Sequence, residues 1–292
     1  MRIGKSGQGK KQVRVLLCSP TFYILLLCSI LYGWSWIESS QIEKKSGPLA
    51  LSVGMTPVFR TLFFDYPSSL SELNDLILKY EIRSIEDLKK QNVTTQRQFQ
   101  KLDRVPIWNG LIGEGLFWMR TGSVEDPAPL FEKVQKGQVW RLFSPCLLHQ
   151  DYMHFLFNMG WVLILGSQIE VRLKKMRLLL LILVAGIFSN VAQYLMGGPY
   201  FLGFSGVVAG FVAFIWTRQQ RAPEEGYPLP RTASMLLFYF VIGMTCLEGI
   251  ALALQAFAIA HFSIPIANTA HLTGGLAGLV LGRFSFFARR AT

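Results

Sequence analysis

Cysteine is scarce in this chain of 292 residues: there are four. Cys18, Cys28 and Cys246 lie in apolar runs and only Cys146 lies outside one, with no Cys-x-x-Cys pair. A disulfide scaffold and a cysteine-based metal motif are therefore excluded as the basis of the fold. Acidic residues are also few, 18 Asp and Glu against 29 Lys and Arg, giving a formal net charge of +11. Only Glu248 sits in the interior of an apolar run, and the segments 197–203 and 258–266 carry no charge at all. No half-to-half repeat is visible, which weighs against a transporter built from two related halves.

What is abundant is apolar. Hydrophobic residues make up 51% of the chain and mean hydropathy is +0.34, as in a membrane protein. They are bunched in six runs, 15–37, 152–169, 178–196, 204–217, 233–257 and 267–287, which reach or approach the ~20 residues that cross ~30 Å of hydrocarbon. The fourth is short. The first follows the basic stretch MRIGKSGQGKKQVR, as a signal peptide would, but it is long and aromatic and no Ala-x-Ala pattern follows. It reads as a retained helix, and a mitochondrial transit peptide is the poorer alternative.

Treating the six runs as crossings sorts the charges. Arg2, Lys5, Lys10, Lys11 and Arg14 fall on one side with Arg172, Lys174, Lys175 and Arg177, with Arg218, Arg221 and Arg231, and with Arg283, Arg289 and Arg290. Glu170, Glu224 and Glu225 are the only acids there. On the other side the long segment 38–151 holds 14 basic and 14 acidic residues, which cancel. This is the positive-inside pattern with both termini cytoplasmic. It accounts for the net charge without nucleic acid.

The expected organisation is a basic N-terminus (1–14), a first transmembrane helix (15–37), an external insert (38–104), a membrane-associated loop (105–151), core helices two to six (152–287) and a basic tail (288–292). Within the insert, Ser69-Leu70-Ser71-Glu72 and Ser84-Ile85-Glu86-Asp87 read as capping boxes opening two short amphipathic helices. Residues 105–150, rich in Gly, Pro and Trp, read as irregular. Asn92-Val93-Thr94 matches a glycosylation sequon, a pattern that often occurs by chance.

Polar residues recur at one depth. Counted upward from the first cytoplasmic arginine of each run, Asn158 stands 14 residues above Arg172, Ser205 13 above Arg218 and His271 12 above Arg283. At ~1.5 Å per residue these are roughly 18 to 21 Å up. His154 lies one turn above Asn158 on the same face. Taken singly, a serine between glycines is a packing residue, and a histidine or asparagine a satisfied interhelical hydrogen bond. Three helices agreeing in depth is not something packing requires, and polar groups in hydrocarbon point to function.

Small residues supply the approach. Gly206 and Gly210 form GxxxG in the fourth run, and Gly274, Gly278 and Gly282 repeat that spacing in the sixth. Close contact there brings the Ser205 hydroxyl within reach of His271, as a nucleophile and its base require. Because the fourth run is short, its N-terminus starts below the outer surface. Its free N–H groups and positive dipole end would suit an oxyanion, with Asn158 and His154 as further donors. The pattern GFSGV is not the soluble hydrolase elbow, since Val207 stands where the second glycine would be. Glu248 reaches a similar depth but has no obvious place as a third member, so a Ser–His dyad is the preferred reading.

These pieces, WRLFSPCLLHQDYMHFLFNMGW, GFSGVVAG and ANTAHLTGGLAG, together resemble the rhomboid family of intramembrane serine proteases from about Gly137 to Phe287. The resemblance implies an all-α membrane protein: a six-transmembrane-helix rhomboid-like bundle with a long external loop insert between helices 1 and 2. It implies Ser205 as nucleophile, His271 as general base and then acid, and His154, Asn158 and the Ser205 N–H as oxyanion donors. Gly203 would shape the turn before the serine, Gly206 the helix contact, and Trp140 and Arg141 would brace the membrane-associated loop. Substrates would be single-span membrane proteins cut near the outer face of the bilayer, with no metal or cofactor. The implied location is the bacterial inner (plasma) membrane.

Two departures from the family pattern stand out. Position 209 is alanine, where well-studied members often carry a tyrosine stacked on the histidine, and the first loop is far longer than usual. The alternative is a rhomboid-like pseudoprotease serving as a membrane adaptor or chaperone, against which both Ser205 and His271 stand. The fifth run and the uncharged 258–266 turn are the candidate gate.

Overall fold

The computed structural model describes residues 19–53, 56–124, 128–257 and 267–288. Among them there are helices and no strands. The basic N-terminus, most of the basic tail and the 258–266 turn lie outside the described residues.

The first helix, α1 (Pro20–Val53), starts under a double restraint. Ser19 Oγ accepts the N–H of Phe22 at 3.1 Å, and Glu170 accepts from Ser19 Oγ at 2.8 Å and from the N–H of Thr21 at 3.2 Å. Those contacts satisfy N–H groups that a helix start leaves without partners. The helix does not stop at Ile37. It runs on to a kink at Gly47 (φ 71°), because Ile42 turns inward on Leu73, Ile77 and Ile82 and gives the extension a core of its own.

Residues 56–104 fold onto that extension as α2 (Pro57–Leu62), α3 (Ser68–Lys79), α4 (Ile85–Lys90) and α5 (Val93–Asp103). The Ser84 box forms: its hydroxyl accepts the N–H of Asp87 at 3.2 Å. The Ser69 box does not. Pro67 takes the cap position and Ser69 turns inward, buried with its hydroxyl unpaired. The segment read as irregular contains a 12-residue helix, α6 (Gly110–Thr121), and a single turn, α7 (Glu132–Gln135). Three glycines hide the α6 pattern in sequence, while Gly122 in the left-handed region (φ 67°) ends it in the usual way.

Two short 3₁₀ turns, Val139–Leu142 and Ser144–Leu147, lead into α8 (Tyr152–Trp161). The α8 helix continues through a π-turn at Val162–Gly166 into α9 (Ser167–Arg172). Then come α10 (Lys175–Gly197), α11 (Ser205–Arg221), α12 (Arg231–Ala256) and α13 (Asn268–Leu281). Among the described residues three helical stretches are long and apolar enough to cross a membrane: Pro20–Lys45, Lys175–Gly197 and Arg231–Ala256.

The core sits around α11, where Val207, Phe211, Phe214 and Ile215 meet Leu165 and Ile169 below α8 and Leu178, Leu181 and Ile182 of α10. On its other face α11 meets α13 through backbone. A Cβ at Gly274 would strike the carbonyl of Gly206, and one at Gly278 would strike the carbonyl of Gly210. In lipid there is little hydrophobic gain from bringing helices together, so this close packing is itself the cohesion. At the far end Arg218 pairs with Glu225, both buried, and holds the turn after α11.

Candidate active site

Ser205 is the first residue of α11 and His271 lies in the first turn of α13. Their separation follows from the glycine contacts just described. Ser205 Oγ and His271 Nε2 are 2.8 Å apart, a hydrogen bond, and both side chains are partly exposed. Gly206 is part of the same contact. A Cβ there would come 2.7 Å from Ser189 Oγ and 3.3 Å from the carbonyl of Ala270.

Gly203 sits at φ 115°, where glycine is favoured, with its N–H donating to the Pro145 carbonyl at 3.0 Å. A Cβ at this position would lie 2.6 Å from Cε1 and 2.7 Å from Nε2 of His154. The His154 ring thus rests on bare backbone two residues before Ser205. Asp151 caps α8 by accepting the His154 N–H at 2.9 Å, which sets His154 in the first turn. One turn on, Asn158 is 1% exposed. Its Nδ2 donates to the His154 carbonyl at 2.9 Å and its Oδ1 has no partner.

His154, Asn158, Ser205 and His271 all line one cavity of about 1720 Å³, together with Ala209 and Glu248. Glu248 does not reach His271: it accepts from Asn268 Nδ2 at 2.8 Å and so ties α12 to the start of α13. Trp140 and Arg141 stand apart from this group. Trp140 Nε1 donates to the Thr61 carbonyl at 3.3 Å. The buried Arg141 guanidinium donates to the carbonyls of Phe63 at 2.6 Å and Arg60 at 2.8 Å. Both grip the insert. Among the described residues no three His, Cys, Asp or Glu side chains converge to hold a metal ion.

Several supporting residues escape a reading of the sequence. Gln193 Oε1 accepts the N–H of Ala270 at 3.1 Å, fixing α13 beside His271. Asn190 Nδ2 donates to the carbonyls of Leu142 and Phe143 at 3.0 and 3.3 Å. Ser189, Asn190 and Gln193 form a polar stripe inside an apolar run, which was the available signal. His149 lies against His154, ring centroids 5.4 Å apart and 63° between planes. Burial, with His154 nearby, pushes the His149 pKa down to about 3, so the ring is neutral.

A hydroxyl bonded to an imidazole at the N-terminus of a helix, where the first N–H groups have no helical partner, with an amide lining the same cavity, is suited to acyl transfer. The family model described as Rhomboid domain matches residues 136–287. Rhomboid protease GlpG of Yersinia pestis (strain Pestoides F) is 38% identical over 151 residues, 52% of this chain and 50% of the relative. Rhomboid protease GlpG of Yersinia enterocolitica serotype O:8 is 34% identical over 175 residues, 60% of this chain and 54% of the relative. The chain thus spans about half the length of the curated relatives it matches.

Proposed function

The chain belongs to the rhomboid family, and from that premise we propose that it is an intramembrane serine endopeptidase working by a Ser205–His271 dyad. The observation that carries this reading is the 2.8 Å bond between Ser205 Oγ and His271 Nε2 inside the shared cavity. Ser205 Oγ attacks the peptide carbonyl carbon as His271 Nε2 takes its proton. The resulting oxyanion is held by the Ser205 N–H, one of the first in α11 and so without a helical partner, and by Asn158 and His154. His271 then returns the proton to the leaving amine. Water, deprotonated by His271, attacks the acyl carbon, and His271 returns that proton to Ser205 Oγ as the acid is released.

In this reading the protein is integral to the bacterial inner membrane, crosses it six times, and has both termini cytoplasmic. Its substrates are single-span membrane proteins cut near the outer face. They enter beside α12, whose most apolar stretch is only 6% buried. The second reading is a rhomboid-like adaptor that binds membrane helices without cutting. It draws on Ala209 and on His271 Nδ1, which has no partner among the described residues. Cleavage of a tagged single-span protein in liposomes by wild type, Ser205→Ala and His271→Ala tests both. Cutting by wild type alone supports the dyad. No cutting by wild type and no fluorophosphonate labelling of Ser205 leaves the adaptor.

A further inference from the structure

Residues 110–121 lie outside the stretch that the family model matches, yet α6 helps to enclose the cavity that holds Ser205 and His271. It is fastened at both ends. At its start, Trp108 Nε1 donates to the Tyr194 carbonyl at 2.9 Å. Gly110 (φ 79°) meets the end of α10 so closely that a Cβ would strike the carbonyl of Met196. Near its other end, Arg120 Nη2 donates to the carbonyl of Gln255 on α12 at 3.0 Å. The helix therefore bridges from α10 to the far end of α12.

Its two faces differ. Leu111 and Trp118 point away and are more than half exposed, whereas Ile112, Gly113 and Leu116 line the cavity. By the helical period 112 and 116 lie one turn apart on one face, and 111 and 118 lie two turns apart on another. Phe59 of α2 lines the same cavity from the insert. The wall is apolar and lines the same cavity as Ser205 and His271.

We propose that the inner face of α6, chiefly Ile112 and Leu116, is a specificity-determining wall that limits the size of the substrate side chain beside the scissile bond. The inference rests on the protease reading above. The occupant is the stretch of substrate emerging on the outer side of the membrane, because α6 caps the ends of α10 and α12 that face that side. Bulk at positions 112 and 116 excludes large apolar side chains there, and removing it admits them.

The test uses the full chain in liposomes and one tagged single-span reporter, made with alanine or phenylalanine at each position flanking the cleaved bond. Fluorophosphonate labelling of Ser205 runs in parallel as a measure of an intact site. Ile112→Ala and Leu116→Ala are expected to raise the phenylalanine-to-alanine ratio of kcat/KM by about tenfold at one of those positions. Leu116→Trp lowers it, and Leu111→Ala on the outer face leaves it unchanged. If an alanine variant loses labelling, Ile112→Val carries the test with a smaller shift in the same direction. A ratio held within about twofold by inner-face variants that still cut and label overturns the wall and leaves the protease reading standing. Wild type that neither cuts nor labels overturns the protease reading, and the wall with it.

Discussion

Helices α10 and α12 are alike in length and apolarity, but the most apolar stretch of α10 is 44% buried and that of α12 is 6%. Composition does not separate them. What separates them is where small and polar residues fall. α10 sends Ser189, Asn190 and Gln193 into α11, the 3₁₀ turns and α13, while a Cβ added at Gly243 or Gly249 of α12 would meet nothing within 4 Å. The Ser205–His271 pair is thus built on the tightly packed side, and the loosely held helix borders the same cavity from the other. In the proposed protease, placement of Ser205 and His271 and room for the substrate come from different helices.

The strongest way to break this contrast is Gly278→Val, which drives a side chain into the backbone of Gly210. It is expected to cost about 3 kcal/mol or more and to abolish Ser205 labelling, read by thermal unfolding in detergent and by fluorophosphonate. A stable, labelled variant would mean that α11 and α13 are not locked together. Next comes Gly206→Ala, whose new Cβ meets Ser189 Oγ at 2.7 Å, with an expected loss of about 1–3 kcal/mol. Adding Ser189→Gly should restore part of that loss, and a double-mutant cycle showing no coupling between 189 and 206 would remove the stated cause.

On the loose side the effects shrink. Gly243→Ala is expected to change stability by no more than about 0.5 kcal/mol, and a loss as large as that of Gly206→Ala would erase the contrast. Smallest is Arg120→Ala, which deletes one exposed hydrogen bond to the Gln255 carbonyl. Global stability should hold while hydrogen exchange quickens at residues 250–257. Equal exchange in both proteins would show that α12 is not tethered there.

The sequence made the core legible where chemistry and geometry coincide. The GxxxG spacings and the common depth of Asn158, Ser205 and His271 needed no tertiary information, and those side chains do line one cavity. Contacts made across long distances in the chain were invisible. Helix α6 carries three glycines and gains its order from Tyr194 and Met196, far along the chain. Ser69 has the pattern of a cap, but Pro67 begins the helix first and leaves that hydroxyl inside. The extension of α1 past Ile37 depends on Ile42 finding Leu73 and Ile77, which periodicity within 38–53 does not announce. The 258–266 turn lies outside the described residues.

Arg141 sets a limit on modular engineering. Its guanidinium engages main-chain carbonyls at Arg60 and Phe63, and Ser144 Oγ likewise donates to the Leu62 carbonyl at 2.6 Å. Recognition therefore depends on the path of the chain through 60–63 and very little on which side chains travel along it. A loop grafted from elsewhere that took another path would leave both Nη groups of a buried cation without these acceptors. Residues 56–66 are spliced into the domain rather than hung from it, so a chimera must carry that stretch and Arg141 together.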